Sequence, residues 1–282
     1  MMAEPLVKHR YPEYKTFDEK RMAVEVDNIA TETQTFLNSF YDLLAERFFF
    51  IPKDKHRFEI KKEYISKAGF WVAKKRYAQW MILKNGIPCD KLDVKGLDVV
   101  RSSFPKAFQK FMSTMLKDIL MGKDNEYIDD TLLTFKKSLP TLPVNTIAKG
   151  GALKELSKYD NGSWKTGDAV ANFEKGTPAH VKAGITYNRL LKFFNCPYKH
   201  EPIRDGDKVK WVYLKDNPLG LETVAFKDYN DPKEIMDFVE TYVDRNKIFE
   251  AELENKLDDF YNALKWDKVT ADTKTAKKFF AF

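Results

Sequence analysis

Lys74-Lys75-Arg76-Tyr77 sets three cations and a phenol side by side, inside the longer string Gly69-Phe70-Trp71-Val72-Ala73-Lys74-Lys75-Arg76-Tyr77-Ala78. Read as extended chain, neighbouring side chains point to opposite faces, so Lys75 and Tyr77 share one face and Lys74 and Arg76 the other. A cation beside a phenol can reach a nucleic-acid backbone and a minor-groove edge together. That edge presents acceptors at every base pair, so such contacts test pairing geometry without reading sequence. The plainer reading is a solvated edge strand whose lysines discourage aggregation. The residues alone leave both readings open.

Other chemistry is sparse. Cys89 and Cys196 are far apart, in no metal-ligand or redox spacing, and read as reduced thiols. His9, His56, His180 and His200 are scattered, so neither a metal site nor a nucleophilic dyad is expected, and no residue is assigned a catalytic role. At the other end, Lys277-Lys278-Phe279-Phe280-Ala281-Phe282 closes a polar tail with three aromatics. Exposed aromatics on a mobile end have no core to fill. A pocket on another molecule is one destination, and folding back onto the chain's own surface is the other.

The elements that must position these residues follow from periodicity. Within 282 residues, 43% are apolar and 14% aromatic, which suits a globular chain with sizeable cores. Lys and Arg exceed Asp and Glu by 48 to 42, which permits a polyanionic partner without demanding one. Met1 to Tyr14 lacks the apolar core of a signal peptide and no uncharged run reaches membrane-spanning length, so a cytoplasmic protein without a membrane partner is expected. Glu19 to Phe50 reads as one long helix with apolar positions at Met22, Val26, Ile29, Phe36, Leu37, Phe40, Leu43 and Leu44, stopped by Pro52. Arg57 to Ile65, Phe70 to Leu83 and Leu92 to Val100 read as strands, with Asn85-Gly86 as a hairpin turn.

From Arg101 the chain turns helical. Ser102 or Ser103 is placed to cap a helix with Pro105 in its first turn, carrying a stripe from Phe108 to Leu120. A second helix covers about Asn125 to Ser138, and another Pro178 to Phe194. Lys208 to Leu214 and Leu221 to Phe226 read as a β-pair, and Asp231 as the cap of a long helix reaching about Trp266. The fold class is therefore α+β. A small antiparallel sheet with a packed helix (1–100) is followed by a mainly helical part with a small β-element (101–266), then a flexible tail (267–282).

The string GFWxAKKRYA resembles the KKRY motif at the end of the palm in family-B DNA polymerases of large tailed phages. Lys95-Gly96-Leu97 and Arg101-Ser102-Ser103-Phe104-Pro105-Lys106-Ala107 resemble that family's palm-to-thumb junction. Ser157-Lys158-Tyr159-Asp160 and His180-Val181-Lys182-Ala183-Gly184-Ile185-Thr186-Tyr187-Asn188-Arg189 resemble thumb segments, and Asn217-Pro218-Leu219-Gly220 its Asn-Pro-Phe-Gly. The five blocks fall in the family's order. The resemblance implies that residues 1–100 are the end of the palm and 101–266 the thumb. It implies primer-template contacts from Lys74, Lys75, Arg76 and Tyr77, and phosphate contacts from Arg101, Ser102, Ser103, Lys106, Lys158 and Lys182. It also implies that Phe279, Phe280 and Phe282 dock on a sliding clamp.

The family binds two catalytic metals through Asp-x-x-Ser-Leu-Tyr-Pro and Asp-Thr-Asp segments, and neither occurs in the sequence. Asn38-Ser39-Phe40-Tyr41 mimics part of the family's nucleotide-binding fingers helix, but Gln34 and Asp42 stand where its lysine and glycine belong. Glu19 to Phe50 reads instead as the palm helix after the metal-binding hairpin. Two-metal phosphoryl transfer needs the missing carboxylates. The expectation is the C-terminal subunit of a split polymerase, inactive alone. An N-terminal subunit would supply exonuclease, fingers and metal-binding palm, and Mg²⁺ would sit on that partner rather than on this chain. Met1-Met2 reads as the start of a natural frame. The rival is a non-enzymatic accessory protein binding DNA and clamp, and a third reading is single-strand RNA stacking on Trp71 or Trp164.

Overall fold

The computed structural model describes residues 3–160, 173–196 and 199–267. The aromatic tail at 279–282 and Trp164 lie outside the described residues. The chain divides into two compact units: Met1–Trp71 with Tyr77–Lys95, and Val72–Arg76 with Gly96–Phe282. The architecture is α+β, with two three-stranded antiparallel sheets.

In the first unit, a short helix α1 (Glu4–Arg10) lies on the long helix α2 (Glu19–Phe48). Asp18 starts α2 by accepting the Arg21 N–H at 2.7 Å, as a capping carboxylate should. Val7 and Ile29 are buried, and Arg10 forks onto Glu32 at 3.0 and 2.7 Å while Tyr11 donates to Glu25 at 2.7 Å. Further along α2, Phe36 (70% exposed), Phe40 and Leu43 face outward, as does Phe50 (86% exposed) beyond its end.

Strand structure does not begin at Arg57. The first strand, β1 (Tyr64–Ala73), opens seven residues later. The intervening backbone is instead bound by side chains of α2. Asn38 exchanges hydrogen bonds with Ile60, Gln34 accepts the Lys62 N–H, and Lys62 reaches Asp27 at 2.5 Å. These polar positions serve the backbone that a neighbouring strand would otherwise serve.

The expected single strand from Phe70 to Leu83 is two strands. β1 and β2 (Arg76–Lys84) are joined by a turn at Lys74-Lys75, where Lys75 adopts a left-handed φ of 63°. The alternation that put Lys75 with Tyr77 and Lys74 with Arg76 therefore does not hold, because the lysines form the reversal itself. β2 pairs antiparallel with β3 (Ile87–Lys95) across Asn85-Gly86, whose φ values of 50° and 78° suit a two-residue hairpin. β3 stops at Lys95, short of Val100, and Asp98–Val100 forms a helical turn. A cleft of about 1030 Å³ separates α1 and α2 from the β1 and β2 face, with Val7, Met22, Val26 and Leu37 opposite Ile65, Trp71, Tyr77 and Gln79.

The second unit gathers α3 (Lys106–Leu120), α4 (Asn125–Ser138), α5 (Val144–Ile147), β4 (Lys149–Ala152), α6 (Leu156–Tyr159) and α7 (Ala179–Phe193). β5 (Lys208–Tyr213) and β6 (Thr223–Phe226) complete the sheet β4-β5-β6. The helices α8 (Lys233–Tyr242), α9 (Arg245–Phe249) and α10 (Asn255–Leu264) follow. Phe108 is the centre of an aromatic core. It meets Phe135 and Phe249 edge-on at 5.8 and 6.4 Å, while Phe111 stacks on Phe135 at 4.3 Å.

Two expected caps fail. Pro105 is the N-cap of α3 and no side chain bonds there, so Ser102 and Ser103 sit in the preceding turn. Asp231 accepts from the Lys227 and Asp228 N–H groups and closes a loop rather than a helix. The long helix expected to Trp266 is broken at Val243, which is extended (φ −57°, ψ 128°) and bridges to Leu214. A π-helical turn at Glu250–Glu254 then links α9 to α10.

Candidate nucleic-acid interface

Tyr77, at the start of β2 in the first unit, is held by aromatic neighbours. The Trp71 indole stacks on its ring, with centroids 6.3 Å apart and planes 29° from parallel. The indole folds back over Gly69, where a Cβ would overlap it. Hydrogen bonding to Tyr64, followed by burial, pushes the Tyr77 phenol above its ordinary pKa, so it remains a neutral donor at physiological pH. A polar ladder crosses the same sheet. Ser66 donates to Gln79 at 3.0 Å, Gln79 to Asp93 at 3.3 Å, and Asp93 pairs with Lys95 at 3.4 Å.

The basic turn belongs to the second unit. Lys74 and Lys75 are exposed, and no carboxylate lies within ion-pair distance of either among the described residues. Arg76 differs: its guanidinium pairs with Asp259 of α10 at 2.8 Å. The Lys75 carbonyl packs against Gly96, which has a φ of 66° and no room for a side chain.

The serine-bearing segment is braced by a run of alternating charges. Arg101 pairs with Asp98 at 2.9 Å, Asp98 approaches Lys256 at 4.0 Å, Lys256 meets Glu252 at 3.1 Å, and Glu252 meets Lys149 at 2.5 Å. Lys256 also lies over the Phe104 ring and Lys149 over the Trp211 ring. The Ser103 carbonyl accepts the Gly150 N–H at 2.9 Å, tying this segment to β4. Ser102, Ser103 and Lys106 remain exposed beside the first turn of α3, whose leading N–H groups lack helical acceptors. Lys149, Lys256, Asp98 and Glu252 carried no signal in the sequence, since Lys149 lies 103 residues from Glu252 and Asp98 lies 158 from Lys256.

Lys158 and Lys182 occupy other elements and each has its own carboxylate. Lys158 pairs with Glu155 at 3.1 Å, which raises its pKa, and Lys182 pairs with Glu222 at 2.9 Å, which lowers that of Glu222. Of the ten candidate contacts, Lys74, Lys75, Tyr77, Ser102, Ser103 and Lys106 are thus not engaged in an ion pair among the described residues. No described cluster of His, Cys, Asp and Glu is arranged to hold a metal ion, and no described helix is long and apolar enough to cross a membrane.

The geometry defines an α+β protein that presents a basic hairpin turn and a serine-bearing helix entry. The family model for DNA polymerase family B matches residues 51–251, and the chain belongs to that family. It is 28% identical over 186 residues to the DNA-directed DNA polymerase of Enterobacteria phage T4, covering 64% of this chain and 19% of that protein. It is also 28% identical over 204 residues to the DNA-directed DNA polymerase of Escherichia phage RB69, covering 71% of this chain and 21% of that one. The chain therefore spans about a fifth of the length of these relatives.

Proposed function

We propose that this chain is the duplex-gripping, C-terminal subunit of a split phage DNA polymerase acting in the host cytoplasm. Residues 1–100 end the palm and 101–266 form the thumb. Lys74, Lys75 and Tyr77 meet the primer end, while Ser102, Ser103, Lys106 and α3's first N–H groups meet phosphates. Such contacts position DNA without reading its sequence. The family match running through the Lys74-Lys75 turn, with neither lysine in an ion pair among the described residues, is the observation that carries this reading.

On this reading a partner chain supplies the metal-binding aspartate segments, which do not occur in this sequence, with the Mg²⁺ they hold, together with exonuclease and fingers. The bare Phe36, Phe40 and Leu43 on α2 support a chain that packs there, since uncovered apolar surface of this kind marks an interaction site. The peptide with Phe279, Phe280 and Phe282 docks on a sliding clamp.

The test is primer extension and primer-template binding. The chain alone should bind duplex without extending it, and should support extension when the chain bearing the Asp-Thr-Asp strand is added. Lys74→Ala and Lys75→Ala should each lower the salt slope of binding by about 1. Unaided extension, or no duplex binding at low salt, would sink the proposal.

A further inference from the structure

We propose that Trp71 is a positioning residue for Tyr77, and that Gly69 supplies the space that seats it. The inference rests on the reading that Tyr77 meets the primer end. Trp71 is 56% exposed, so filling a core does not account for its indole. Its contacts are specific nonetheless. The indole stacks on the face of Tyr77 and lies over the bare Cα of Gly69. A tyrosine beside a turn can swing about two side-chain torsions, and a hydrogen bond to a groove acceptor tolerates a displacement of only a few tenths of an ångström. The hydrogen bond to Tyr64 restrains the phenol end, and the flat wall of Trp71 restrains the ring on one side.

The arrangement also explains the glycine. Gly69 has an ordinary strand conformation, so a turn is not what requires it. An added Cβ would strike the far end of the Trp71 ring, which can rotate away, rather than backbone. Gly69→Ala therefore leaves the strand intact while evicting the indole from Tyr77. It removes the stack without removing the tryptophan.

The experiment compares the full chain with Trp71→Ala, Trp71→Phe, Gly69→Ala, Tyr77→Ala and the Trp71→Ala/Tyr77→Ala double variant. It measures affinity for primer-template with a paired and with a mispaired primer end across a salt series, along with the thermal midpoint. Trp71→Ala and Gly69→Ala are expected to reduce the preference for a paired end by up to about tenfold, the upper end of what an aromatic pair contributes. The salt slope should not change, and Trp71→Phe should restore most of the preference. The double variant should be no worse than Tyr77→Ala alone, because residues acting through one another are not additive.

If Tyr77→Ala abolishes the preference while Trp71→Ala and Gly69→Ala retain it, this inference is overturned and the reading of Tyr77 stands. An equal loss for paired and mispaired ends in the Trp71 variants also overturns it. A preference that survives Tyr77→Ala, or none in the unaltered chain, overturns both.

Discussion

The Asn38 side chain and the Ile60 backbone pair in both directions, with Nδ2 donating to the Ile60 carbonyl at 3.1 Å and Oδ1 accepting its N–H at 2.8 Å. One turn earlier, Gln34 accepts the Lys62 N–H at 2.6 Å. A helix face thus stands in for an edge strand. Asn38, which belongs to α2's likeness to a nucleotide-binding helix, and Gln34, which stands where that helix has its lysine, both have a local structural task. Asn38→Ala should destabilise the first unit by roughly 1–2 kcal/mol, the net worth of two such bonds. Hydrogen exchange should quicken at the Ile60 amide while the β2–β3 amides keep their protection.

Gly96 is the second sensitive point. Its left-handed φ disfavours any Cβ, and the added atom would overlap the Lys75 backbone carbonyl, which cannot rotate away. Gly96→Ala should cost about 1–3 kcal/mol in chemical denaturation. Gly86→Ala provides the contrast: its φ of 78° is strained for alanine, but nothing stands within 4 Å, so the loss should be smaller.

Glu252 is 5% exposed and lies between Lys149 and Lys256. Glu252→Gln would leave two ammonium groups facing each other across a neutral amide. The expected loss is about 2–3 kcal/mol in thermal or chemical denaturation, below that of a fully buried pair because both lysine ends are partly exposed. Asp98 and Arg101 share the same charge run, so the variant should also weaken duplex binding if that run braces the serine-bearing turn.

His180 gives a pH dependence with a definite sign. Burial, and then the charge of Lys149, hold its folded pKa below the ordinary value of 6.5. Between the two values the unfolded chain binds more protons, so stability rises with pH through that window. The contribution is complete above pH 6.5 and is lost as pH falls through the folded value. His180→Gln should flatten the dependence of the thermal midpoint below pH 6.5 and leave it unchanged near pH 8.

The features that could be read from the sequence were those carried by local chemistry. Asn85-Gly86 declared its turn because asparagine and glycine both accept positive φ, and the stripes of α3, α4 and α7 declared themselves by period. The Lys74-Lys75 reversal was hidden because lysine is no turn signal, and because strand-forming apolar and aromatic residues flank it on both sides. The break at Val243 was hidden for a related reason. Helical spacing carries on past it, and only the bridge to Leu214, distant in sequence, pulls the backbone straight. At the candidate site, the cations were legible and their partners were not. Asp259 for Arg76 and Glu222 for Lys182 are brought near by the fold alone, and they separate the lysines still free to meet a phosphate from the cations already engaged.

The pairing of β4 with β5 also sets an order of events in time. The β2–β3 hairpin closes over a two-residue turn, whereas Lys149 must find Trp211 and Ala152 must find Lys208 across a long intervening stretch. Loops of that length add little to the equilibrium cost of closure but slow the search considerably. In pulse-labelled refolding, amides of the hairpin should gain protection first and those of Gly150 and Gly151 late. The edge that receives the Ser103 carbonyl is then among the last parts of the chain to mature, and the serine-bearing turn acquires its bracing only when the rest of that sheet has already formed.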